Sequence, residues 1–309
     1  MPFPKSEWIW YNGKHVPWDE ARVHVTTHAL HYGSSVFEGL RAYPTPSGPA
    51  VLGLDAHIHR LFDSSRLLRM EIPFTSPEIK EAILELVRRN HHSDCYIRPL
   101  VFRGAESFSL DSRSCPTEMA IMTFEWGRYL GEEGTDQGVD VMVSSWRRMA
   151  PDTFMAMTKA GGNYLNSQLI LMEAVDNGFV EGIALDIQGF VSEGSGENIF
   201  LVHRGILYTP PVSASVLMGI TREYVVTLGS EFGYEVHEQA IPREMLYLAD
   251  EVFLTGTAAE ITPVRSVDRM VIGSGRRGPV TKRLQDEFFG IVLGEIPDRH
   301  GWLTFVKSS

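Results

Sequence analysis

Cysteine and long apolar runs are scarce in this chain, and each scarcity excludes a class of protein. Only two of its 309 residues are cysteines, which excludes a small scaffold held together by several disulfides. No apolar run approaches the roughly 20 residues that a membrane-spanning helix needs. The first residues also lack the basic and apolar regions of a signal peptide. We therefore expect a cytoplasmic protein that does not bind membranes.

Positive charge is scarce as well. Lysine and arginine total 28 against 39 acidic residues, which gives a formal net charge of −11. A chain this acidic repels phosphate backbones, so we expect no nucleic-acid partner. Apolar residues make up 43% and charged residues 22%, proportions typical of a globular protein rather than a disordered one.

Strand-like and helix-like patterns alternate along the chain and predict an α+β or α/β fold of two domains. We assign residues 1–126 to an N-terminal α/β domain and residues 139–309 to a C-terminal domain. The stretch 127–138 between them is rich in glycine and charge, so we interpret it as the interdomain loop.

Two short segments predict local structure with particular clarity. The strand pattern of Trp8–Trp10 followed by Asn12 and Gly13 predicts a β-hairpin. Ser76 before Pro77 predicts a helix start, with the serine as N-cap.

Lysine is rare enough that one position is notable. The chain has six lysines against 22 arginines, and between Lys80 and Lys282 only Lys159 occurs. It stands among small, turn-forming residues, with a helical pattern after it. A lysine amine in a partly desolvated pocket is a nucleophile for carbonyl groups. Position alone, however, favours an ordinary loop lysine.

A cluster rich in glycine and glutamate spans residues 191–200. Glycines there allow a close backbone approach to a ligand, and Glu193 or Glu197 could partner a cationic ring nitrogen. The same composition is typical of a tight turn between strands, and the sequence leaves the two interpretations open.

Two further clusters place N–H and hydroxyl groups where an anion could bind. Residues 218–222 open a helix, whose first N–H groups and Thr221 hydroxyl suit a phosphate. The alternative is plain N-capping by Thr221. Residues 255–260 place hydroxyls at the end of an apolar strand. Arg60 and Arg98 could also serve anionic groups.

Two other patterns resemble functional motifs without the context these need. The glycine pattern at 273–278 lies too near the C-terminus for a dinucleotide-binding βαβ unit to follow it. The pairs His57/His59 and His28/His31 lack a cysteine or carboxylate at zinc-like spacing, so we expect no metal site.

Taken together and in order, these clusters resemble the branched-chain amino acid aminotransferase family, a fold-type-IV group of pyridoxal 5′-phosphate enzymes. The resemblance implies the two-domain fold of D-amino-acid-aminotransferase-like enzymes, with the smaller α/β domain first. The segments that carry the resemblance cover nearly the whole chain: His31–Gly33, Phe37–Tyr43, His59–Leu61, Tyr96–Leu100, Lys159–Tyr164, Glu193–Asn198, Gly219–Arg222 and Thr255–Glu260.

The resemblance implies pyridoxal 5′-phosphate as the cofactor. Lys159 would bind its aldehyde as a Schiff base and later shuttle the proton at the substrate Cα. Glu193 would accept the pyridine N–H, and Tyr164 would bond the phenolic oxygen of the ring. The residues implied for the phosphate are Arg60, Ile220, Thr221 and Thr257.

The implied reaction is transamination between L-leucine, L-isoleucine or L-valine and 2-oxoglutarate. Arg98 would bind the distal carboxylate of glutamate, while Thr257 and Ala258 would bind the α-carboxylate through N–H groups. Gly39 also belongs to the implied substrate pocket, whose apolar wall would comprise Phe37, Tyr96, Trp126 and Tyr129.

The resemblance also implies a homodimer or a larger homo-oligomer. Tyr32 and the loop near Leu110 would then reach the site of the neighbouring subunit. Related enzymes of this fold act on D-amino acids or (R)-amines, or are lyases of the aminodeoxychorismate type. The sequence leaves these alternatives open.

Overall fold

The computed structural model describes residues 4–127 and 134–307. Its α-helices are α1 (His28–Tyr32), α2 (Leu54–Leu67), α3 (Ser76–Arg89), α4 (Gly134–Gln137), α5 (Tyr164–Asp176), α6 (Ile220–Glu231), α7 (Met245–Leu248) and α8 (Pro279–Val292). Its strands are β1 (Trp8–Tyr11), β2 (Lys14–Pro17), β3 (Ser35–Phe37), β4 (Leu40–Tyr43), β5 (Ala50–Leu52), β6 (Cys95–Arg103), β7 (Thr117–Phe124), β8 (Val139–Arg147), β9 (Glu181–Leu185), β10 (Val191–Glu193), β11 (Asn198–His203), β12 (Ile206–Thr209), β13 (Val236–Glu238), β14 (Glu251–Gly256), β15 (Glu260–Val267), β16 (Met270–Val271) and β17 (Leu303–Phe305).

The described residues form two compact units. The first contains those within 1–126, together with Thr158–Gly162 and residues from 290 onward. The second contains those within 127–157 and Asn163–Phe289. The domain ranges 1–126, 127–138 and 139–309 stay a prediction.

An eight-stranded sheet organises the first unit, in the order β17-β5-β4-β6-β7-β1-β2, with β3 also paired to β6. The predicted hairpin is confirmed, since β1 pairs with β2 and the connecting Asn12 and Gly13 both have positive φ. The apolar faces of α2 and α3 contribute Leu54, Ile58, Ile79 and Ile83 to the core of this unit.

The predicted N-cap of α3 is off by one residue. The helix begins at Ser76, and Thr75 is its N-cap. The Thr75 N–H donates to Glu78 Oε2 at 2.7 Å, so the threonine and glutamate form a capping box. The sequence suggested Ser76 because serine before proline is the more familiar signal.

A nine-stranded mixed sheet organises the second unit, in the order β10-β9-β8-β15-β14-β11-β12-β13, with β16 paired to β15. Valine and isoleucine from β8, β9, β11 and β15 contribute to its core. The order places β11 beside β14, and Asn198 lies opposite Thr255. The loops that follow β10 and β14 therefore lie at the same edge of the sheet. Among the described residues, no helix has the length and apolar character needed to cross a membrane.

Candidate active site

The main chain around Lys159 is fixed to the first unit. Ala160 forms a bridge with Val36, and the Phe37 N–H donates to the Lys159 carbonyl at 3.0 Å. The Lys159 N–H donates to the buried Ser64 hydroxyl on α2 at 3.1 Å. The lysine is therefore held at a fixed place beside β3, which its loop-like sequence does not reveal.

The half-buried Phe37 ring faces two cationic side chains. Lys159 Nζ lies 5.1 Å from the ring centroid, and Arg98 Cζ lies 4.5 Å from it. Arg98 also donates to the Tyr96 hydroxyl at 3.2 Å. In the described part of the chain its buried Nε has no hydrogen-bond partner. This surface combines an amine, an apolar ring and a guanidinium able to bind a carboxylate.

Three aromatic side chains continue this surface. The Tyr96 ring lies 4.7 Å from Trp126 and 5.5 Å from Phe124, measured between centroids. Gly39 makes room for Tyr96, because a Cβ at Gly39 would lie 1.9 Å from the Tyr96 hydroxyl oxygen. The predicted wall residue Tyr129 lies outside the described residues.

Arg60 is held by a fully buried carboxylate that the sequence analysis missed. Its Nε and Nη2 donate to the two oxygens of Glu38 at 2.7 and 2.8 Å, and His57 Nδ1 lies 2.7 Å from Glu38 Oε2. Burial alone would raise the pKa of Glu38, but the charge and hydrogen bonds of Arg60, helped by His57, hold it well below its ordinary value. In the sequence, the only sign of this ion pair is that Glu38 is a charged residue beside an apolar strand.

His57 is a buried packing residue. Burial lowers its pKa, the Glu38 carboxylate opposes that shift, and the charges of Arg60 and Lys159 reinforce it. The His28 ring bonds to Ser34 Oγ at 2.7 Å and to the Ser109 carbonyl at 3.0 Å. Within the described ranges, no group of three or more His, Cys, Asp and Glu side chains could hold a metal ion.

Tyr32 lies on the short helix α1. Its hydroxyl donates to the Phe108 carbonyl at 3.2 Å, and its ring packs on His28. Tyr32 is 47% exposed and Leu110 is 84% exposed, so both side chains can contact another molecule.

In the second unit, Glu193 ends β10 and is buried among donors. Its Oε1 accepts from Arg148 Nη2 at 2.8 Å, while Oε2 accepts from the Leu217 N–H at 3.0 Å and from Asn198 Nδ2 at 3.1 Å. Arg148 also donates to Asn166 in the first turn of α5, the helix that begins at Tyr164. The sequence analysis singled out neither Arg148 nor Asn198 as an anchor of this carboxylate.

The N-terminus of α6 has no side-chain cap. Gly219 is the N-cap residue and Ile220 the first helical residue, so capping by Thr221 is wrong. A Cβ at Gly219 would lie 1.9 Å from Asn198 Oδ1, which explains the glycine. Asn198 also donates to the Leu217 carbonyl at 2.9 Å and so links the helix start to Glu193. The N–H groups of Ile220 and Thr221 lie in an electropositive helix end suited to phosphate.

Thr257 and Ala258 lie in the tight connection between β14 and β15, where Gly256 pairs with Glu260. Glu260 has a φ of 54°, and the Thr262 hydroxyl donates to the Ala259 carbonyl at 2.6 Å. The connection lies against the turn after β10, since a Cβ at Gly256 would be 3.7 Å from the Gly196 carbonyl. The structure thus brings this loop close to the turn that follows Glu193.

The late glycine pattern has a structural explanation within the second unit. Gly278 precedes α8, and the Glu251 carboxylate accepts from the N–H groups of Val280 and Thr281 at 2.9 and 2.8 Å. A protein carboxylate therefore occupies the helix N-terminus that a dinucleotide phosphate would need.

Comparison with known proteins identifies the family. The family model for amino-transferase class IV matches residues 35–267. The chain belongs to this family. The branched-chain-amino-acid aminotransferase of Salmonella typhimurium is 51% identical over 309 residues, which is the whole of both chains.

Solved structures of class IV members agree with this assignment. The crystal structure of the Escherichia coli branched-chain amino acid aminotransferase matches with a TM-score of 0.97 at 51% identity, covering 98% of this chain and 100% of that chain. The Thermobaculum terrenum branched-chain amino acid aminotransferase in its PLP-form matches with a TM-score of 0.92 at 37% identity, covering 100% of both chains. The predicted family and the predicted fold-type-IV class are both confirmed.

The site chemistry suits the cofactor of this class IV chain. The first unit offers the Lys159 amine and an arginine aligned by Glu38. The second offers the buried Glu193 carboxylate, which can accept a ring N–H, and the N-terminus of α6, which has no side-chain cap. A Cβ at its N-cap residue, Gly219, would collide with Asn198. An amine, an anion site and an acceptor for a cationic ring are the groups that pyridoxal 5′-phosphate requires.

Proposed function

We propose that this chain catalyses transamination between L-leucine, L-isoleucine or L-valine and 2-oxoglutarate, with pyridoxal 5′-phosphate as cofactor. The observation that carries the proposal is the Phe37 ring, with the Lys159 amine on it at 5.1 Å and the Arg98 guanidinium at 4.5 Å. An apolar side chain and a distal carboxylate can both find a partner on such a surface, since burying an unpaired carboxylate is unfavourable.

Each substrate end has its own partner in this proposal. Phe37, Tyr96 and Trp126 contact the branched side chain, and Gly39 keeps Tyr96 in place. Arg98 binds the distal carboxylate of 2-oxoglutarate, and the N–H groups of Thr257 and Ala258 bind the α-carboxylate. The buried Nε of Arg98, which has no hydrogen-bond partner among the described residues, supports this carboxylate-binding role.

When bound, pyridoxal 5′-phosphate supplies an aldehyde that takes up the amino group and a ring that withdraws electrons from the substrate Cα. The Lys159 amine would hold the aldehyde, and the same amine would move the proton at the substrate Cα. Glu193 keeps the ring nitrogen protonated, a role that its three donors support by fixing an anionic carboxylate. Tyr164 bonds the phenolic oxygen, and the phosphate partners are Arg60, Ile220, Thr221 and Thr257.

The protein works as a homodimer or larger homo-oligomer in the cytoplasm in this proposal. Leu165, Leu169 and Met172 recur at helical spacing on α5 and are all exposed, which supports a second copy as their partner. Tyr32 and Leu110 contact the neighbouring subunit's site, and their exposure supports this part.

The spectrum of the purified protein before and after addition of L-leucine, without a keto acid, tests the proposal. We expect the visible band of the lysine-bound cofactor to give way to that of the pyridoxamine form. No response to L-leucine, with a response to D-leucine or an (R)-amine, would contradict it, as would pyruvate release without an acceptor. The branched-chain aminotransferases among the relatives favour the L-branched donor over these alternatives.

A further inference from the structure

Two glutamates that have no role in the proposed reaction lie buried against each other in the second unit. Glu181 on β9 has 0% of its surface exposed, and Glu197 has 4%. Contact with the other carboxyl contributes to the pKa shift of each glutamate. Within the described part of the chain, neither carboxyl forms an ion pair with lysine, arginine or histidine. Two carboxylates in contact without a cation cannot both be ionised, so the pair holds a proton.

The hydrogen-bond donors show which glutamate carries that proton. Glu181 accepts three hydrogen bonds: from the Gly182 N–H at 2.6 Å, the Ser195 N–H at 3.1 Å and the Ser195 hydroxyl at 2.9 Å. Glu197 accepts one from the main chain, from the Gly196 N–H at 3.1 Å. Donors stabilise the anionic form, so Glu181 is the carboxylate and Glu197 the acid.

The electrostatic surroundings agree with this arrangement. Burial, followed by the charge of Glu181, raises the pKa of Glu197 well above its ordinary value, and the charge of Glu193 adds to the shift. Glu181 on β9 and Glu193 on β10 act on Glu197 as negative charges, and the uncharged Gly194, Gly196 and Gly256 lie beside it. None of these supplies a positive charge.

Glu197 also closes the turn on which Glu193 depends. The turn 194–197 joins Glu193 to Asn198, and the Gly194 N–H donates to the Glu197 carbonyl at 2.7 Å. The Glu197 side chain folds beneath the turn, because a Cβ at Gly194 would lie 2.7 Å from its Oε2. A hydrogen bond from Glu197 to Glu181 therefore ties this turn to β9.

We propose that Glu197 is a neutral carboxylic acid at working pH, and that by donating a hydrogen bond to Glu181 it positions the turn that carries Glu193 and Asn198. Its effect on the reaction rests on the proposed role of Glu193 at the cofactor ring. Glu197 is a positioning residue, since it acts through the turn and not on the reacting atoms.

Three variants separate the neutral acid from a merely structural side chain. Glu197→Gln stays neutral and keeps a donor toward Glu181. Glu197→Leu keeps approximate volume but has no donor. Glu244→Gln is the matched control, because Glu244 is exposed in the same unit and its side chain caps no helix.

The first measurement is infrared spectroscopy of the holoprotein at neutral pH, because a protonated carboxyl has a C=O stretch distinct from that of a carboxylate. We expect the band in the wild type and in Glu244→Gln, and its loss in Glu197→Gln. A wild-type spectrum without the band, or its persistence in Glu197→Gln, would overturn the proposal. Neither result depends on turnover, whereas failure of the proposed function would appear as a wild type that ignores every amino donor.

The second measurement is steady-state turnover with L-leucine. We expect Glu197→Gln to keep kcat within about twofold, and Glu197→Leu to lose about tenfold or more in kcat with a smaller change in KM, in line with other residues that orient a direct ligand. An equal loss in both variants would overturn the proposal, because neutrality with a donor would then not suffice. Should the leucine variant fail to fold, the infrared band and the glutamine variant still decide the question.

Discussion

Two buried glutamates in this chain are stabilised in opposite ways. Glu38 in the first unit has 0% exposure and is ionised, because the Arg60 fork and the His57 ring bind both of its oxygens. Glu197 in the second unit is nearly as buried, but its neighbours are carboxylates, and burial together with the charge of Glu181 raises its pKa. Burial therefore does not decide whether a glutamate is charged; the groups around it do.

The same contrast separates two regions, one in each unit. The region around Phe37 presents Lys159 and Arg98, which suit carboxylates and carbonyl chemistry. The region around Glu193 presents a carboxylate held by Arg148 and Asn198, which suits a cationic ring N–H. In the proposed function, the first region supplies the amine that reacts, and the second supplies a fixed carboxylate.

Lys159→Ala is the change with the largest expected effect on activity. Without the amine we expect transamination to fall by at least about 10⁴-fold, since both the covalent partner and the proton carrier are lost. The protein should stay folded, because the hydrogen bonds that anchor Lys159 come from its main chain. The initial rate with L-leucine and 2-oxoglutarate measures the loss, and circular dichroism checks folding.

Lys282→Ala is the matched control, since Lys282 is exposed and its ion pair among the described residues is with Asp286 on the same helix. We expect it to keep wild-type turnover. The infrared band assigned to Glu197 should also be unchanged in Lys159→Ala. Steady turnover by Lys159→Ala would mean that the first region does not supply the reacting amine.

Glu38→Gln tests the comparison of the two glutamates directly. An amide there leaves the part-buried Arg60 without its counter-ion, and breaking a buried pair in this way destabilises a protein by about 3–5 kcal/mol. We expect a lower Tm and a loss of cofactor affinity of about tenfold or more, measured by fluorescence titration of the apoprotein. Glu197→Gln should cost little by both measures. Similar losses in the two variants would contradict the comparison.

The two glutamates should also give opposite pH dependences of stability. The pKa of Glu38 is lowered on folding, so its contribution is present above the ordinary value of 4.5 and is lost as the pH falls toward the folded value. The pKa of Glu197 is raised, so its contribution is present below 4.5 and is lost as the pH rises toward the folded value. Urea unfolding across pH should show Glu38→Gln approaching the wild type in acid and Glu197→Gln gaining on it in alkali.

The sequence predicted local structure well where neighbouring residues determine it. The hairpin turn at Asn12 and Gly13 needed only a local pattern, and the structure confirms it. The ordered motifs also predicted the family, because their order spans the whole chain. The contacts of Glu38 with Arg60, and of Glu193 with Arg148, could not be predicted. Such pairs join residues that only the folded sheet brings together, and no periodicity records them.

The N-cap residues of two helices could not be predicted from the sequence either. Thr75 rather than Ser76 is the N-cap of α3, and Gly219 rather than Thr221 is the N-cap of α6. In both cases the predicted residue had a side chain suited to capping, but a different residue is the N-cap. At α6 the deciding contact is with Asn198, far away in sequence, because its amide oxygen leaves no room for a Cβ at Gly219.

Arg98→Met is the sharpest test of the first region's cationic character, because its expected effect is confined to one of the two substrates. Methionine keeps packing on Phe37 and Tyr96 but removes the charge. We expect kcat/KM for 2-oxoglutarate to fall by about 10- to 100-fold, the worth of a hydrogen bond to a charged group, and kcat/KM for L-leucine by less than about threefold. Arg89→Met is the control, because Arg89 stacks on Trp8, outside the candidate site, at 4.3 Å. Equal losses for both substrates would mean that Arg98 supports the aromatic wall and does not bind the distal carboxylate.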